Sequence, residues 1–155
     1  MVQQVVALLI FGLTLQPSLA EAAGCDLGQA TFRPKYAAED FVLRSHQNGD
    51  DLLFDIAVRR SGESFRFKVD VDEHTAEGRI ASMPDGGGRD PGVKTTFALA
   101  DANGLKATTP HEVSYIAFLD LGRAFLDFRS REGQQPDPYT TPPSGLWEVA
   151  ECRRN

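Results

Sequence analysis

Residues 64–72 read SFRFKVDVD. Phe65, Phe67, Val69 and Val71 fall on one side of an extended chain, and Arg66, Lys68, Asp70 and Asp72 fall on the other. Alternation with period two marks a β-strand that has one face in a core and the other in water. The same pattern runs upstream, where Leu52, Phe54, Ile56 and Val58 alternate through LLFDIAVRR and are preceded by Phe41-Val42-Leu43. Gln47-Asn48-Gly49-Asp50 and Arg60-Ser61-Gly62-Glu63 separate these runs. Asn-Gly and Ser-Gly supply the positive φ angles of tight hairpins, so residues 41–72 are read as a three-stranded meander.

Downstream, Gly78 to Met83 and Thr95 to Ala100 are further strand candidates. The turn Asp101-Ala102-Asn103-Gly104 leads from the second of these to Leu105–Thr109, a second expected hairpin. Thr109-Pro110-His111-Glu112 has the order of a capping box with proline at the first helical position. Val113, Ile116, Ala117, Leu121 and Ala124 follow near helical spacing, with Gly122 placed as a stop. The spacing predicts a helix near 110–121. AFLDFR (124–129) returns to strand character, and LWEVAEC (146–152) is the expected last strand. Residues 133–145, with four prolines, read as a stiff loop between them. The fold class is therefore mainly β (α+β), an antiparallel sheet curled into a small barrel or sandwich with one helix packed on it.

The chain has 155 residues, 41% hydrophobic, 9% aromatic and 25% charged. That is the composition of one globular domain. The net charge of −6 argues against a nucleic-acid partner, whose phosphates demand clustered positive charge. Val5 to Leu15 (VVALLIFGLTL) is an unbroken apolar stretch stopped by Pro17 and followed by small residues. It has the length of a signal-peptide core and is too short for a membrane span. Residues 1–22 are thus expected to be an export signal, cut after Ala20 or Ala22, and 23–155 a single β-rich domain, periplasmic or secreted.

In an oxidising compartment two cysteines are read first as a bridge. Cys25 and Cys152 lie at opposite ends of the expected domain, and a bond between them stabilises by about 4–5 kcal/mol in the chain-entropy model. Lipidation of Cys25 after Ala-Ala-Gly is the rival, weakened by Ala22 at the third position before the cysteine and by the distance from Leu15. There is no Cys-x-x-Cys pair, so zinc or redox chemistry of that type has no support.

Four groups of residues are candidates for chemistry. Asp70, Asp72, His74 and Glu77 gather carboxylates and an imidazole suited to a cation, although the spacing and missing glycine break the calcium-loop pattern. Residues 84–95 resemble a phosphate loop but carry Val93 between Gly92 and Lys94, leaving Arg89 and Lys94 as anion contacts. No Gly-x-Ser-x-Gly or Ser-x-x-Lys context marks a nucleophile, and His46, His74 and His111 are lone candidate bases. Trp147 and Tyr139, beside the proline-rich loop, are expected partner anchors. Phe65, Phe67, Phe97, Phe118, Phe125 and Phe128 are expected to fill the core, or to line a pocket if the sheet closes wide enough.

No cofactor is implied. The residues favour a small non-enzymatic module that binds a protein or small ligand outside the cytoplasm. A small enzyme or metal protein using residues 70–77 and a purely structural envelope component are the alternatives.

Overall fold

The computed structural model describes residues 24–37, 40–72, 74–84, 91–135 and 137–153. The expected export signal (1–22) and Arg89 lie outside the described residues. A short 3-10 turn, Leu27–Gln29, precedes β1 (Ala30–Pro34), β2 (Phe41–Asn48), β3 (Asp51–Val58), β4 (Glu63–Asp72), β5 (Glu77–Ser82) and β6 (Lys94–Ala100). Then come β7 (Tyr115–Phe118), α1 (Leu121–Arg131) and β8 (Gly145–Cys152). Each strand pairs antiparallel with its neighbour in sequence, and β8 returns to pair with β1, so the sheet is a closed eight-stranded barrel. Closure decides between barrel and sandwich, and it leaves no edge strand exposed.

The meander at 41–72 forms as its alternation predicts. Phe65 faces Ile56, Phe67 faces Phe54 and Asp55 faces Arg66 across the β3–β4 ladder. Gly49 (φ 63°) and Gly62 (φ 73°) provide the left-handed residues of the two turns. Inward side chains fill the barrel. Phe54, Phe97, Phe118 and Trp147 form a continuous series of ring contacts, with successive centroids 5.6, 5.7 and 5.9 Å apart. Phe32 and Phe67 complete this interior and are fully buried. An eight-stranded barrel is just wide enough for side chains to fill, and these rings form its packed core.

Among the described residues one α-helix is present, but it occupies Leu121–Arg131, not 110–121. Two constraints displaced it. Tyr115–Phe118 alternates in burial and pairs with both β6 and β8, so the barrel needs it as a strand. The capping-box segment is held by other bonds: the Leu27 amide donates to the Pro110 carbonyl (2.8 Å), and Cys25 and Val113 exchange backbone hydrogen bonds. The residues read as a strand at 124–129 belong to α1, where Leu121, Phe125, Phe128 and Arg129 make a buried stripe at helical spacing. Gly122, read as a stop, lies in the first turn. The expected hairpin partner at 105–109 is reduced to one bridge, Ala100 with Lys106, because the Asp101 carboxylate accepts the Asn103 and Leu105 amides and curls the chain.

The helix seals one end of the barrel. Phe125 stands edge-on to Phe65 and Phe67, with centroids 4.9 and 6.2 Å away, and Phe128 meets Phe65 at 6.0 Å. Leu27 of the 3-10 turn and Ala107 and Val113 of the β6–β7 connection are buried among the core residues. The disulfide Cys25–Cys152 joins positions 127 residues apart, with Cα atoms 5.7 Å apart.

Gly78 on β5 tests how full the interior is. A Cβ there would stand 2.2 Å from the Phe97 ring, so Gly78→Ala is expected to cost about 1–3 kcal/mol by overpacking. Urea denaturation measures it, with Arg79→Ala on the outer face as the control expected to stay near wild type.

Candidate functional site

With the interior filled, exposed chemistry lies on the outside and at the barrel ends. A cleft of about 410 Å³ opens at the helical end, between the start of β4 and the C-terminal half of α1. Phe65 and Phe128 form its floor, and Met83, Pro84 and Pro91 from the β5–β6 connection form an apolar wall. Asp55, Glu63, Arg66 and Gln134 supply the polar wall.

The charges of that wall are paired with one another. Arg66 donates through Nε to Asp55 Oδ1 (2.7 Å) and through a terminal nitrogen to Oδ2 (3.0 Å), a bidentate fork across the β3–β4 ladder. The hydrogen bond to Asp55, and then that carboxylate's charge, raise the pKa of Arg66 above its ordinary value. Behind the cleft, Arg129 is only 4% exposed. Its guanidinium donates to Glu63 Oε1 (2.6 Å) and Gln134 Oε1 (2.7 Å), and also to Glu63 Oε2 and the Thr140 carbonyl. It lies 5.6 Å from the ring centres of both Phe65 and Phe128. A buried cation needs such partners, since burial without them carries a large desolvation penalty. Arg129 thereby ties α1, β4 and the loop after α1 together. Sequence reading missed it, although a basic residue ending an apolar stripe of helical spacing was the available signal.

The acidic cluster has a structural role. Asp72 Oδ1 accepts the backbone amides of His74 (2.8 Å) and Thr75 (3.2 Å), closing the β4–β5 turn. Those two bonds hold the Asp72 carboxyl below its ordinary pKa. The His74 side chain is 96% exposed, with Nδ1 3.8 Å from Asp72. In the β4–β5 register Asp70 lies opposite Arg79, and Asp72 opposite Glu77. Among the described residues, no three or more of His, Cys, Asp and Glu are grouped to hold a metal ion. His46 stands 3.8 Å from Asp55, which Arg66 already engages. His111 Nδ1 lies 2.7 Å from Asp26 Oδ2, while Asp26 Oδ1 accepts the Gly28 amide. Both side chains are substantially exposed, and the pair clasps the 3-10 turn to the β6–β7 connection.

Trp147, expected as a partner anchor, is fully buried, with Nε1 donating to the Pro143 carbonyl at 3.1 Å. The correction follows from register: position 147 points inward between Ile116 and Pro34. Tyr139 is half exposed, and the Arg60 guanidinium lies 4.3 Å from its ring centre, pinning the proline-rich loop to the β3–β4 turn. Lys94 is exposed at the start of β6, in a shallow cleft shared with Asp127, Ser130 and Arg131.

Arg129→Ala takes the guanidinium away from Glu63, while the Ser61 hydroxyl still donates to its carboxylate. Because Glu63 is partly exposed, the expected loss in denaturant unfolding is at the lower end of the about 3–5 kcal/mol typical of a broken buried pair. Arg129→Met combined with Glu63→Gln is expected to recover most of it. For Asp72, a depressed folded pKa means that its contribution is present above the unfolded carboxylate value of about 3.9 and fades as pH falls through the folded value. Asp72→Ala should therefore melt below wild type at neutral pH, with the gap narrowing as thermal scans are taken into the acid range.

The chain matches no protein-family model, no curated protein and no solved structure, so its own geometry carries the functional reading.

Proposed function

We propose that the protein is a small non-enzymatic binding module that acts outside the cytoplasm and receives an extended segment of a partner polypeptide in the cleft at the helical end of the barrel. The filled interior carries this reading: with Phe54, Phe97, Phe118 and Trp147 packed ring against ring, recognition is confined to the outer surface. The cleft's apolar wall suits an apolar side chain, and its volume is in the range of binding pockets. Its carboxylates and guanidiniums already neutralise one another, which disfavours a strongly charged ligand. A closed barrel and a disulfide give the cleft a rigid frame, the arrangement that lowers the entropy lost on binding.

The extracytoplasmic setting draws on the disulfide and on the apolar stretch Val5–Leu15. Among the described residues no helix is long and apolar enough to cross a membrane. The rival metal reading has less support, since Asp72 is committed to its turn.

A photo-crosslinking amino acid placed at Met83, in the cleft, is expected to capture a polypeptide when the protein is exported in its own host. The same probe at Asn103, in the β6–β7 connection, is the control. Capture at Asn103 alone, or equally at both positions, rules the cleft out. Met83→Asp is expected to abolish competition for the captured partner while the thermal midpoint stays at the wild-type value, because the site is only partly buried.

A further inference from the structure

The two halves of the disulfide differ in access. Cys25 is 2% exposed, whereas Cys152, at the end of β8, is exposed. Thiol–disulfide exchange begins with attack of a thiolate on one sulfur, and access decides which sulfur is attacked.

Each half is also held in place without the bridge. The Cys25 amide donates to the Val113 carbonyl (2.8 Å), and the Val113 amide donates back (3.0 Å). The Asp26–His111 contact clasps the same two segments one position further along. On the other side, Cys152 lies opposite Ala30 in the β1–β8 ladder, and the Arg153 amide donates to the Gln29 carbonyl at 3.0 Å. Opening the sulfur–sulfur bond therefore removes none of the backbone bonds that close the barrel.

We infer that the Cys25–Cys152 bridge is a one-sided thiol-exchange site, attacked at Cys152 by a small thiol or a dithiol protein while the barrel stays closed. The incoming thiolate forms a new sulfur–sulfur bond to Cys152 Sγ, and the bond from Cys152 to Cys25 breaks. The electron pair passes to Cys25 Sγ, which takes a proton from solvent. With a dithiol, the second thiolate displaces Cys152 Sγ, which is protonated in turn. The dithiol ends as a disulfide, and the bridge is reduced by two electrons. Cys25 stays held in place by its backbone bonds to Val113, so in the intermediate with a single mixed disulfide its thiolate can reattack Cys152 Sγ and expel the incoming thiol. A dithiol, which traps the open form by forming its own ring, therefore reduces the bridge more completely than a monothiol.

The test uses the oxidised, folded protein. It is incubated with glutathione, quenched with acid and mapped by peptide mass spectrometry, while near-ultraviolet circular dichroism follows the core. The expected result is glutathione on Cys152, a free thiol on Cys25 and an unchanged core spectrum. Dithiothreitol should then reduce both cysteines with that spectrum still in place. Glutathione on Cys25, or on both equally, overturns the inference, as does a bridge that opens only in step with loss of the core spectrum. In the single variants, Cys152 in Cys25→Ser is expected to react with an aromatic disulfide reagent about tenfold or more faster than Cys25 in Cys152→Ser, since access controls reactivity. Equal rates in folded variants also overturn it.

Discussion

The ladder between β1 and β8 places Ala30 opposite Cys152, Phe32 opposite Val149 and Pro34 opposite Trp147. Without it both strands would be sheet edges, with unpaired amides and carbonyls open to other chains. With it the sheet has an inside, and the alternation of every strand sorts its residues between that inside and water. The pairing joins the two ends of the folded chain, so its loop-closure entropy is the largest of any ladder in the barrel. The disulfide, from the segment preceding β1 to the end of β8, reduces that entropy in the unfolded chain.

Closing eight strands leaves room for side chains and little else. The large number of phenylalanines follows from this space: rings from β3, β6, β7 and β8 meet at tilted or edge-to-face angles across it, and Gly78 leaves the room that the Phe97 ring occupies. The barrel interior is thus occupied by packed side chains. Its ends need covering too, because open ends would expose the rings to water. Helix α1 covers one end and contributes Phe125 and Phe128. Arg129 on the same helix is the polar exception, buried because Glu63, Gln134 and the Thr140 carbonyl surround it.

Much of this was legible in local patterns. SFRFKVDVD, LLFDIAVRR and LWEVAEC all became strands, and Gly49 and Gly62 turned where their neighbours indicated. The cysteine pair was legible from count and position. The helix was misplaced because two local signals competed with a distant requirement. Thr109-Pro110-His111-Glu112 has helix-start chemistry, but its backbone pairs with residues 25–27, and β7 was needed to complete the barrel. The carboxylates at 70–77 looked like ligands because composition does not distinguish a cation site from a turn in which Asp72 accepts two amides.

Taken alone, the sequence determined the meander at 41–72, the strands near 78–83, 95–100 and 146–152, and the class of fold, because alternation and turn chemistry are written over fewer than about ten residues. Tertiary structure decided the rest. Trp147 is buried because register turns it inward, and no local pattern reports register around a closed barrel. Arg129 meets Glu63 across 66 residues, and Asp26 meets His111 across 85. Such contacts depend on where whole strands lie, which is set by burying all the apolar faces at once, and so the cleft at the helical end exists only in the folded chain.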